Sequence, residues 1–169
     1  MKQIIISGTA NKYQMKQVLK IPKIEKQRIV SSGWNFPDMS YSKHIDVFSD
    51  TSTDLNFYNM CISQIKTKLT NYKQQDVRKK RLNESFIKID AVICKLKECG
   101  FKCEYCAKEI LILYDMCREK CQWTLDRIDN VAGHNENNVL ISCLDCNLKK
   151  KKQTPAAFIF TKNLKIIQI

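Results

Sequence analysis

The stretch WTLDRIDNVAGHNENNVLISCLDCNLKKKK, residues 123–152, decides how the rest of the chain is read. Trp123 and Leu125 alternate with Thr124 and Asp126, which reads as a short β-segment with its two apolar residues turned to a core. A polar loop with Gly133 and His134 follows, then a second apolar run, VLIS at 139–142. That run enters Cys143-Leu-Asp-Cys146 and a lysine-rich tail, which predicts a helix continuing through 149–152. The expected unit is two β-segments, a loop between them, and a helix that starts at the cysteine pair.

The pair Cys143/Cys146 has a counterpart upstream, Cys103-Glu-Tyr-Cys106. A Cys-x-x-Cys turn puts two thiolates on one side, and two such turns complete a tetrahedral set, which selects zinc over magnesium or calcium. Four cysteines fill that shell, so the Zn2+ expected here holds the fold and keeps no open position for chemistry. The chain has nine cysteines, an odd number that fits a disulfide framework poorly. Cys61, Cys94, Cys99, Cys117 and Cys121 are read as structural thiols that behave as small hydrophobes.

Further upstream, FIKID at 86–90 reads as extended, with Asp90 capping a helix over AVICKLKEC and Gly100 ending it. Leu55, Tyr58, Ile62, Ile65, Leu69 and Tyr72 recur at three- and four-residue steps, one face of an amphipathic helix. Its other face carries Lys66, Lys68, Lys73, Arg78, Lys79, Lys80 and Arg81. Two readings stay open for these cations: a row that tracks a phosphate backbone, or a solvated surface. Residues 1–50 are less regular; Pro22 interrupts a helix, SSGWNFPDMSYS reads as a loop, and His44 is expected at the surface. The resulting division is a 1–50 extension, a helical basic region over 51–98, a zinc-bearing domain over 99–160, and a tail over 161–169.

The net charge is +12, which favours a polyanionic partner, DNA first and RNA second. A lysine-heavy composition without functional meaning is the competing explanation. No apolar run approaches the length of a membrane span, and MKQIIISGTANK lacks the apolar core of an export signal. An intracellular protein without a membrane partner is expected; oligomeric state is not legible.

Residues 99–152, with CEYC, LDRIDNVAGHNENNVLIS and CLDCNLKK in that order, resemble the zinc-bearing HNH endonucleases of the His-Me finger, or ββα-metal, group. The resemblance implies an α+β protein with a small treble-clef-like ββα-metal domain after a mostly helical basic region. It also implies phosphodiester hydrolysis, in which a base activates water and a divalent ion stabilises the leaving oxygen. Carried over by position, Asp126 and Asn147 would bind the catalytic ion, Mg2+ or Mn2+, and Asn138 would hold the loop. The helix bearing Lys149, Lys150, Lys151 and Lys152 often lies against the minor groove in that architecture, so these lysines, with Lys79, Lys80 and Arg81, are the expected nucleic-acid contacts.

One position departs. Arg127 stands where the family carries its base histidine, and a guanidinium stays protonated. It suits a scissile phosphate but does not activate water. His134 is the nearest substitute; capping the loop or touching phosphate are its other readings, and Asp129 reads as a loop cap or a further ligand. The chain is therefore expected to be a metal-dependent DNA endonuclease of HNH type, the alternative being a degenerate relative that binds nucleic acid or serves assembly. A plain zinc ribbon explains the cysteines but not the order of Asp126, Asn138 and Asn147.

Overall fold

The computed structural model describes residues 26–34, 38–49 and 53–164; the expectation about Pro22 lies outside them. Among the described residues the regular elements are α1 (Tyr41–Val47), α2 (Leu55–Arg78), α3 (Ile89–Glu98), β1 (Trp123–Arg127), β2 (Val139–Cys143), α4 (Leu144–Lys150) and α5 (Pro155–Asn163). Helices thus surround one two-stranded antiparallel sheet, an α+β arrangement. The expected β, loop, β, helix order is present, with Trp123 opposite Cys143, Leu125 opposite Ile141 and Arg127 opposite Val139. Trp123 and Leu125 are buried.

Local chemistry sets the helix ends. The Asp54 carboxylate accepts from the Phe57 N–H at 3.0 Å and starts α2. Asp90 does not cap α3: the helix begins at Ile89, and Asp90 stands in its first turn, where negative charge faces the amide end. Gly100, at φ 58°, ends α3. The Phe101 N–H returns to the Leu96 carbonyl and the Gly100 N–H to Lys97, a Schellman closure that buries the Phe101 ring. The lysine run does not extend α4, which stops at Lys150 before Lys151 turns to φ 53°.

The buried face of α2 is Phe57, Cys61, Gln64, Ile65, Leu69 and Asp76. It shares Ile65 and Leu69 with the expected stripe, but Leu55 is 68 % exposed while Phe57, in the same first turn, is fully buried. Lys68 is also not on the outer face. Its ammonium donates to Gln122 Oε1 at 3.1 Å and to the Trp123 carbonyl, between the rings of Tyr114 and Trp123. Burial first, then the charge of Arg28, pulls its pKa down to about 7.

One apolar cluster runs from Val47 and Phe48 through α2, α3 and the hairpin to Phe158. The cluster draws on residues from both sides of positions 50 and 98, and α5 spans position 160. The reason is area: a two-stranded hairpin cannot bury enough apolar surface alone, so the helices complete its core. Of the extension, Ser31 is buried and Trp34 packs against the core, Gln27 pairs with Met116, and Arg28 donates to the Tyr114 carbonyl and to Gln64.

Side chains and one short backbone bridge at Leu111, rather than a full third strand, meet the outer edge of β1. The Trp123 N–H donates to the Leu111 carbonyl, while the Trp123 carbonyl accepts from Lys68. The Leu125 N–H donates to the Tyr72 hydroxyl at 3.1 Å, and the Leu125 carbonyl accepts from Asn147 at 3.3 Å. The Arg127 carbonyl accepts from the Lys150 ammonium at 2.8 Å.

His44, expected at the surface, is fully buried. Its Nε2 accepts the Leu113 N–H at 2.9 Å, which makes Nδ1 the protonated nitrogen, donating to the Ser40 carbonyl at 2.7 Å. Burial lowers its pKa. A histidine with a folded pKa below its unfolded value binds fewer protons when folded, so stability falls as pH drops below about 6.5. Unfolding free energy measured between pH 7.5 and 5.5 should decline, by at most about 1.4 kcal/mol per pH unit for this group. His44→Gln should reduce that slope, with His134 and Lys68 still contributing to it; an unchanged slope would sink the assignment.

Candidate metal centre and the adjoining loop

The four sulfurs of Cys103, Cys106, Cys143 and Cys146 all lie within 4.8 Å of one another. Cys106 Sγ and Cys143 Sγ are 3.8 Å apart, far beyond a disulfide bond. A tetrahedron with metal–sulfur bonds of about 2.3 Å has edges of about 3.8 Å, so this spacing fits a four-thiolate ion. Each pair is held by its own turn. The Cys106 N–H returns to the Cys103 carbonyl in the first, and Cys143 Sγ caps α4 by accepting the Cys146 N–H in the second. The Glu104 N–H ties the first knuckle to the Ile141 carbonyl of β2. Crowding makes the free thiols unequal: bonding from Cys143 draws Cys103 toward thiolate, and the same contact pushes Cys143 up. A divalent ion would hold all four as thiolates. Among the described residues no other group of three or more His, Cys, Asp or Glu side chains converges in this way.

Asp126 projects from β1 and is 5 % exposed. Its carboxylate accepts from the Tyr105 hydroxyl at 2.5 Å and from the Lys150 ammonium at 3.2 Å. Burial, and then Asp126 itself, raises the Tyr105 pKa far above the phenol range, so the hydroxyl keeps its proton and donates. Lys150 is fully buried. It therefore does not belong with the expected nucleic-acid contacts: Asn147 and Lys150 lie three residues apart on one face of α4, and that face rests on β1. Asn147, expected as a metal ligand, uses its amide nitrogen on Thr124 Oγ1 and the Leu125 carbonyl. Asp126 and Asn147 are thus neighbours on one surface, but the cation beside the carboxylate is an ammonium.

The loop 128–138 is stitched by the residues expected to matter there. Asn138 donates from Nδ2 to the carbonyls of Asp129 and Gly133, while its Oδ1 accepts from the Asp129 N–H at 2.8 Å. Asp129 caps the turn by accepting from the Val131 N–H. Arg127 reaches into the loop, its Nη1 donating to the carbonyls of Asn130 and Ala132. His134 is 2 % exposed and joins the loop to α2. Its N–H donates to Asp76 Oδ2 at 2.7 Å, its Nδ1 lies 2.9 Å from the same carboxylate, and its ring packs on Tyr72. With Nδ1 on a carboxylate, Nε2 is the nitrogen left with a lone pair. Burial, outweighing the Asp76 bond, lowers the His134 pKa and favours the neutral ring. Gly133 is required at this joint, because a Cβ would stand 2.6 Å from the Arg81 carbonyl.

No family model, no curated protein and no solved structure matches the chain. The functional reading therefore rests on the residues themselves.

Lys79, Lys80, Lys149, Lys151 and Lys152 are exposed, and Arg81 is half-buried beside Gly133. Lys149 pairs with Asp145 at 2.7 Å along α4. Cys94 and Cys117 are exposed rather than interior, Cys99 and Cys121 half-buried, and only Cys61 behaves as the small core hydrophobe expected of all five. Three members of the assembly were not singled out from sequence: Asp76, Tyr105 and Lys162. Asp76 did carry a signal, as the one acid between Lys66 and Arg81. Lys162 carried none.

Proposed function

We propose that the chain is a zinc-stabilised nucleic-acid-binding protein with HNH-type ββα architecture, in which the one-metal cleavage chemistry of that architecture no longer operates. The observation that carries this reading is the buried Lys150 ammonium against Asp126. Bringing Mg2+ or Mn2+ to that carboxylate would require displacing a fixed, hydrogen-bonded cation from the interior. Arg127 adds to the argument, since the position of the usual base is filled by a group that does not take a proton near neutrality. Zinc on the four cysteines has a structural role, holding the hairpin and α4 in place. The surface left for a partner carries Lys79, Lys80, Lys149, Lys151 and Lys152 with the +12 net charge behind them; duplex DNA is the first partner to try and RNA the second.

The test is binding and cleavage measured together. Fluorescence anisotropy with labelled duplex DNA should show affinity falling steeply between about 50 and 200 mM salt. Replacing Lys79 and Lys80 together by Ala should reduce the log–log salt slope by about 2. Plasmid DNA incubated with Mg2+ or Mn2+ should remain supercoiled. Absence of binding to DNA and RNA at low salt would remove the nucleic-acid reading.

A second reading, a working endonuclease, is favoured by one specific feature. Asp76 orients His134 Nδ1 and leaves Nε2 as the basic atom, the arrangement a general base needs. Metal-dependent cleavage that disappears in both His134→Ala and Asp126→Ala would establish this reading over the first. Cleavage acquired by Arg127→His in an otherwise inert protein would instead mark lost catalysis.

A further inference from the structure

The C-terminal helix, α5, lies against the four-cysteine cluster, and its last residues fall in the segment expected as a tail over 161–169. Thr154 caps α5 by accepting the Ala157 N–H, and Pro155 begins it. The helix then crosses the two cysteine turns. Phe158 is buried, with its ring edge-on to Tyr105 at 5.2 Å. One turn further on, the Lys162 ammonium donates to Cys146 Sγ at 3.3 Å and to the Tyr105 carbonyl at 3.2 Å. One cation thus touches a ligand sulfur of the second knuckle and the backbone between the two ligands of the first.

We propose that Lys162 is a positioning residue of the metal centre: through its N–H···S bond to Cys146 it sets the affinity of the four-cysteine site and couples metal retention to the docking of α5. This rests on the reading of the four cysteines as a zinc site. Four thiolates around one divalent ion carry an excess charge of two minus. A donor to one sulfur disperses part of that charge and holds the sulfur in place for the ion. The bond to Tyr105 keeps the ammonium over the site. The coupling runs both ways, so an emptied site gives α5 one anchor fewer, and a released α5 exposes Cys146.

Cobalt(II) in place of zinc makes the site visible through its sulfur-to-metal charge-transfer absorption. The full chain should bind one cobalt ion per molecule. Lys162→Met should shift the charge-transfer band to lower energy, because a thiolate without its donor is the better electron source. It should also weaken metal affinity, read by competition with a chelator, by about 10–100-fold. Lys162→Arg keeps an N–H donor and should recover most of both effects. Phe158→Ala loosens α5 and with it the Lys162 contact, and should move the band in the same direction and lower affinity, both by less than Lys162→Met does. A Lys162→Met protein with the wild-type spectrum and affinity within twofold overturns the proposal while the metal site stands. A wild-type chain that takes up no cobalt or zinc overturns the metal reading and this proposal together.

Discussion

Cys143→Ser is expected to unfold the second half of the protein, leaving no hairpin and no ordered α4. Serine is a competent helix cap, so the variant keeps a hydroxyl where Cys143 Sγ accepts the Cys146 N–H and removes only the thiolate. What is lost is one sulfur of the proposed four-cysteine metal site. Structural zinc sites in small domains contribute on the order of 10 kcal/mol or more at neutral pH, comparable to the whole stability of a typical domain. The measurement is zinc content by mass spectrometry with hydrogen exchange over residues 103–150. Wild type should retain one zinc and show protected amides at β1 and β2, and the variant should show neither. Removing zinc from the wild type with a strong chelator should reproduce the variant. A chelated wild type with unchanged exchange would show that the apolar core holds the hairpin without metal.

Lys150→Ala is expected to cost about 3–5 kcal/mol, because it strands a buried carboxylate. Asp126 then retains only the Tyr105 hydroxyl, and the Arg127 carbonyl loses the ammonium at 2.8 Å. The informative comparison is the double replacement Asp126→Asn with Lys150→Met. Asparagine still accepts from Tyr105, methionine fills the space of the lysine stem, and no charge is left behind. Urea unfolding at pH 7 with zinc present should place this double variant well above Lys150→Ala in stability. If Lys150→Ala costs less than about 1 kcal/mol, water reaches Asp126 and the case against a divalent ion there weakens. Stabilisation of Lys150→Ala, but not of wild type, by added Mg2+ would identify the ammonium as the occupant of a former metal position.

The hairpin, the helix after it and the two cysteine pairs were legible because each has a short-range signature: two-residue alternation in WTLD, Cys-x-x-Cys spacing, and a polar loop with Gly133. Asn138 was picked out by the resemblance alone; it bonds to Asp129 and Gly133 within its own loop. The partners of these residues were not legible. Asp126 meets a lysine that sequence cannot tell from its three neighbours; only the pitch of α4 selects Lys150 to face β1. His134 meets an aspartate 58 positions earlier, and no local pattern encodes that distance. His44 was misplaced for the same reason: its acceptor role depends on the Leu113 N–H, 69 residues away. Periodicity found Ile65 and Leu69 on the buried face of α2, but it missed Phe57, Cys61 and Gln64 and placed Lys68 outside. A long side chain can lie on an apolar stripe and still reach a carbonyl.

The clothing of β1 by side chains has a consequence for what this protein can recruit. A two-stranded ribbon usually leaves a row of unpaired backbone groups, and such rows invite a strand from another molecule. Here Lys68 and Tyr72 from α2, Asn147 and Lys150 from α4, and the backbone of Leu111 occupy that row. The sheet is closed to growth on this side, which guards a small hairpin against edge-to-edge aggregation and bars β-augmentation as a mode of partner capture there.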